Sequence, residues 1–133
     1  MAKYTGGGTA SAIKAHFMPV WDLLNASRNE FIFVAPNKCA ITQVNIVGSV
    51  GSNNVATPST NWSFQVRNLT AAVNLLSNVK TTSQVALVAD TKYPLNPDQN
   101  QGISAGDVIQ LQIVKNSGPT FQTKWGVGVE WTD

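Results

Sequence analysis

The chain has 133 residues, enough for one domain with a real hydrophobic core. Hydrophobic residues make up 43% of it, charged ones only 12%, and the net charge is +2, so its polar surface must be built from Asn, Gln, Ser and Thr, which suit docking against a neighbour. Basic residues stand singly from Lys3 to Lys124 and no segment nears the roughly 20 apolar residues of a membrane span, so neither nucleic acid nor a membrane is expected as a partner.

Residues 1–9, with Gly6-Gly7-Gly8, read as a flexible N-terminal arm ahead of a single domain over 10–133, because three consecutive glycines cost too much entropy to order. The arm lacks the apolar run of a signal peptide, which predicts a protein made in a cytoplasm. Between Ala10 and Ser27 two patterns compete. Ile13, Ala15 and Phe17 alternate as in a strand, whereas Val20, Trp21, Leu23 and Leu24 suit a short helix. Pro19 divides them and disfavours helical geometry before it, so a strand and then an extended or single-turn piece is predicted.

Glu30 to Ala35 is strand-like and ends at the turn signal Pro36-Asn37. Cys39 is the only cysteine. It cannot form an internal disulfide and is expected as a small buried hydrophobe at the start of the next run. Ala40 to Val47 is rich in β-branched residues, with Val44 and Ile46 on one face. Gly48 to Thr60 reads as a long polar loop. Trp62, Phe64 and Val66 then alternate against Ser63, Gln65 and Arg67, the pattern of a half-buried strand. Val73-Asn74-Leu75 and Val85-Ala86-Leu87 repeat it in shorter form. Asn96-Pro97-Asp98 opens a second loop that runs to Gly106. Ile109, Leu111 and Ile113 alternate with Gln110 and Gln112. From Phe121 to Trp131 the alternation holds strictly, and a helix would scatter those residues around its surface.

About eight strands with no long helical period predict an all-β fold, an antiparallel β-sandwich of the jelly-roll kind. Helix-length crossovers are missing, which excludes a parallel sheet, and no fixed repeat suggests a propeller or solenoid.

Chemistry-bearing motifs are sparse. One histidine and one cysteine cannot build a zinc site, and no serine sits in a nucleophile elbow beside His16. His16 is expected at the surface, off the apolar face of its strand. The seven acidic residues lie mostly by turns, with no aromatic-flanked pair for glycoside hydrolysis. Asp98 to Gly102 alternates oxygen ligands like a calcium loop, but lacks the glycine spacing and bidentate Glu of an EF-hand. Three Asn-x-Ser/Thr sequons (Asn25, Asn61, Asn68) are near what chance supplies in such a chain. No enzyme, cofactor or metal is therefore expected. Trp62, Trp125 and Trp131 lie on apolar strand faces, as core residues do. Trp21 stands apart among Met18, Val20, Leu23 and Leu24, a cluster that is either a docking patch or a cap over one end of the sandwich.

The stretch Gly102 to Leu111, a loop, an Ala105-Gly106-Asp107 turn and an alternating strand, resembles the penultimate-strand region of viral and phage jelly-roll proteins, capsid decoration (cement) proteins of tailed phages among them. The Gly-rich arm and the weakly charged, amide-rich surface are similar too. The resemblance implies a non-enzymatic virion protein on the capsid surface, a homotrimer that bridges and stabilises major capsid subunits. Its interface would use Lys3 and Tyr4 of the arm and Met18, Val20, Trp21 and Leu24 of the apolar cluster. Gly126 and Gly128 either leave a shallow face where another chain's backbone could approach or relieve crowding inside a twisted sheet. The alternative is a carbohydrate-binding module or receptor-binding fibre head using the loops 48–60 and 96–106. A major capsid jelly roll fits less well, since the chain is short and has no basic arm.

Overall fold

The computed structural model describes residues 14–17, 21–24, 26–49, 61–117 and 122–133. Every regular element among them is a β-strand: β1 (Lys14–Phe17), β2 (Trp21–Leu24), β3 (Arg28–Val34), β4 (Cys39–Gly48), β5 (Asn61–Asn68), β6 (Val73–Asn74), β7 (Lys80–Thr81), β8 (Tyr93–Leu95), β9 (Gly102–Ile103), β10 (Val108–Asn116) and β11 (Gln122–Thr132).

Two antiparallel sheets result. One runs β1-β11-β4-β8, with β2 also on β11 and β9 also on β4; the other runs β3-β10-β5-β6, with β7 also on β5. The strands β1 and β2 lie end to end along β11, as do β8 and β9 along β4 and β6 and β7 along β5. Counting each such pair once leaves eight positions, ordered 1-8-3-6 and 2-7-4-5. That is a jelly roll, and the all-β sandwich expected from the alternation is the fold observed.

Alternation builds the core. Trp62, Phe64 and Val66 from β5 and Ile109, Leu111 and Ile113 from β10 face Ile41, Val44 and Ile46 from β4 and Trp125, Val127 and Val129 from β11, all buried. Cys39 is buried as expected, and desolvation raises its thiol pKa.

Two irregularities break the period. Phe33 opposes Ile109 and Phe31 opposes Gln110, so Ile32 is an extra residue in β3. The phase flips there: Ile32 and Phe33 are both buried, while Phe31 and Val34 turn outward, 63% and 60% exposed. In β4, Ile41 opposes Trp131 and Gln43 opposes Glu130, leaving Thr42 over. Ile41 and Val44 thus both stay inside although three residues apart.

Three segments differ from the sequence expectation. Val85 to Leu87 is not a strand; only Leu87 reaches the core, and the Val85 carbonyl accepts the Tyr93 hydroxyl at 2.8 Å. Tyr93–Leu95 is a strand despite Pro94, because it lies at a sheet edge where one missing N–H is tolerated. Gly102–Ile103, inside the expected loop, pairs with Ala40 and Cys39. The turn after it is as tight as its Ala-Gly-Asp sequence suggests. Gly106 has φ +87°, and no atom lies within 4 Å of where a Cβ would sit. Glycine is needed there for its backbone conformation, not for space.

Candidate docking surface

Of the expected interface residues, Lys3, Tyr4, Met18 and Val20 fall outside the described residues. Trp21 and Leu24 lie on β2, opposite Trp125 and Gln122. Gly126 opposes Val47 and is buried, while the half-buried Gly128 lies between Phe17 and Asn45. Backbone pairing thus sets Trp21, Leu24 and the two glycines on adjoining strands. Gly128 is paired on both sides, so it can offer a neighbour only the sheet face, not an edge. A cavity of about 210 Å³ is lined by Gly126 together with Val47, Asp90, Lys124 and Trp125.

The larger apolar feature lies where β1 and β3 border their sheets on the same flank. A pocket of about 380 Å³ opens there, lined by His16 of β1, by Phe31, Phe33 and Val34 of β3, and by Pro36 and Trp131. The bulge at Ile32 creates it, by turning Phe31 and Val34 to solvent while Phe33 packs on Trp131, ring centroids 4.7 Å apart. The Trp131 Nε1–H is buried and has no hydrogen-bond partner among the described residues. An apolar pocket of this kind suits an apolar group. His16 is exposed at this rim, as its sequence position suggested.

Sequence reasoning named neither Phe31 nor Val34. With Phe31 and Phe33 in apparent alternation, both read as one face of a strand, and nothing in the residue types marks the extra Ile32.

The opposite flank is closed. There β6, β7 and β9 have two residues each and β8 has three. Pro94 offers no N–H, and its carbonyl accepts from Lys80 Nζ at 2.5 Å. That ammonium sits 4.3 Å from the centroid of the Tyr93 ring, and burial lowers its pKa.

The 96–106 loop spends its polar groups internally. The Asp98 carboxylate accepts the Ser77 N–H at 2.8 Å and the Ser77 hydroxyl, which hold its pKa below the usual carboxylate value. Gln99 and Asn100 donate their side-chain amides to the Asn74 carbonyl at 3.2 and 2.9 Å. Those amides point nitrogen, not oxygen, toward the loop's neighbour, unlike a calcium cradle. Among the described residues no three His, Cys, Asp or Glu side chains gather. Trp62 and Trp125 are each 1% exposed, so these indoles pack inside rather than offer faces to a sugar, and the half-buried Trp131 packs on Phe33.

No protein-family model matches the chain, and no curated protein matches it. Among solved structures it is similar to a chain of the cyanophage Pam1 capsid asymmetric unit, with a TM-score of 0.56 and 9% identity over 99% of this chain and 92% of that one. That likeness shows a shared fold. A second structure, of infectious bursal disease virus Gx strain, aligns at a TM-score of 0.28 and 12% identity over 92% of this chain and 30% of that one.

Proposed function

We propose that this chain is a non-enzymatic structural protein of a virion, a homotrimer that decorates an icosahedral shell and bridges its major capsid subunits. The observation that supports this best is the end-to-end match of its jelly roll to a chain of a phage capsid, which spans 99% of one and 92% of the other. The surface suits the task. A weakly charged exterior with an exposed apolar flank makes modest contacts, and symmetry multiplies such contacts into tight attachment.

The test is co-sedimentation with purified shells that lack this protein. The expected result is saturable binding and shells that withstand a higher temperature once decorated. Deleting residues 1–9 should weaken attachment with the thermal transition of the domain unchanged. A full-length protein that stays in the supernatant would sink the proposal, as would a truncated one that binds as tightly. Failure to bind shells, together with saturable quenching of tryptophan fluorescence by a defined sugar, would favour the fibre-head alternative.

A further inference from the structure

Among the described strands β3 pairs with β10 alone, and its charges stand in an order that complements itself. We propose that the outer edge of β3 joins the same edge of a second copy of this chain, the two strands running antiparallel about a two-fold axis at Asn29. This goes beyond the reading above and needs no shell. The contact is separate from the three-fold one proposed there, and it doubles whatever assembly that one makes.

Charge sets the register. In a symmetric antiparallel pair one residue faces its own copy, and the residues on either side of it face each other across the axis. With the axis at Asn29, Arg28 of each copy faces Glu30 of the other. With it at Arg28 or at Glu30, like charges meet. With it at Phe31, Glu30 is set against Ile32, the extra residue of the bulge, where the regular edge ends. Opposite charges across a sheet stabilise the pairing and like charges oppose it. Of these four centres, charge and bulge together leave Asn29.

The same order points to a second copy rather than to an unrelated peptide. Arg28-Asn29-Glu30, read backwards, meets itself with every sign exchanged, a property that pairing with some other strand does not need. Arg28 and Glu30 are half-buried and ion-paired with each other on one face of β3. Joining two copies makes them a neutral group of four charges. Asn29 and Phe31 lie on the other face, both exposed, Phe31 by 63%. There the two Asn29 amides come together, each able to donate to the other, and Phe31 is covered by Ser27 and Asn29 of the second copy.

The experiment is sedimentation velocity on the purified full-length chain over a wide concentration range, with Arg28→Glu and Glu30→Arg as variants. The wild type should associate in a step that doubles its mass. Each variant sets like charges opposite each other on both sides of the axis, and should associate about tenfold more weakly or less well still. One variant is then wholly negative at the axis and the other wholly positive, so an equimolar mixture should associate at least as tightly as the wild type. A variant that had merely lost its fold could not be rescued by mixing. Asn29→Cys should give a disulfide-linked dimer on mild oxidation, because directly opposed residues have Cα atoms about 5 Å apart. Phe31→Cys should not, since its two copies stand four positions apart, about 14 Å. The native Cys39 is buried and does not compete. A wild type with no doubling step, variants that associate at full strength, a mixture that fails to associate, or cross-linking at 31 in preference to 29 would each overturn the proposal. A chain with no doubling step that still binds shells would overturn this inference and leave the virion reading intact.

Discussion

At Asp107 a buried carboxylate accepts the Asn68 amide at 2.8 Å and the Ser104 N–H at 3.0 Å, and so ties the 104–107 turn to the end of β5. The backbone completes the tie: Gly106 N–H donates to the Ala35 carbonyl at 2.8 Å, and Ala35 N–H to the Asp107 carbonyl at 3.0 Å. Asn68 is 1% exposed and also accepts the Ala71 N–H through its Oδ1. Replacing Asp107 with Ala would strand the Asn68 amide without solvent. The expected cost is about 1–3 kcal/mol, or a melting temperature lower by roughly 4 °C per kcal/mol. A thermal melt indistinguishable from wild type would show that the carboxylate is not holding the turn. The same burial explains why the Asn68 sequon carries no functional meaning: its side chain is spent inside the domain.

At the scale of the strand, the bulge in β3 makes a prediction that simple alternation would reverse. Phe31→Ser should change stability by less than about 0.5 kcal/mol because the ring is mostly in solvent, whereas Ile32→Ala should cost about 2–5 kcal/mol. Denaturant titrations of the two variants decide it, and equal losses would place the extra residue elsewhere. This strand also marks where the sequence stops being readable. β5, β10 and β11 were legible because each keeps a strict period of two against one core. β8 was not, since Pro94 argues against a strand unless its position at the edge is known, and edge position is a tertiary fact. Val85 to Leu87 was misread for the converse reason. Its composition suits a strand, but one of its carbonyls is captured by the Tyr93 hydroxyl. The apolar pocket was illegible as a unit because its walls come from residues 16, 31–34, 36 and 131, brought together only when two sheets close. Of the expected interface, the two glycines were locatable from the β11 pattern, although only the fold shows that Gly126 is buried and Gly128 half-buried.

For the whole molecule, the order 1-8-3-6 and 2-7-4-5 interleaves early and late parts of the chain in both sheets. β11 is paired with β1, β2 and β4, so the last strand holds the first ones in place. A chain ending at Ser117 should therefore show no cooperative unfolding transition, and a cooperative melt in that truncation would contradict the topology. Such non-local pairing also predicts slow folding, on the order of milliseconds to seconds for the intact domain.

The two flanks of the sandwich are unlike. One is trimmed to strands of two and three residues, with a proline and a lysine on its border; the other carries the seven-residue β3, whose outer edge pairs with no strand among the described residues. A sheet with two open borders can recruit copies on both sides and grow into a ribbon without limit. A sheet with one can meet a single partner there and stop. At high local concentration, this domain is therefore built to finish a contact rather than to propagate one.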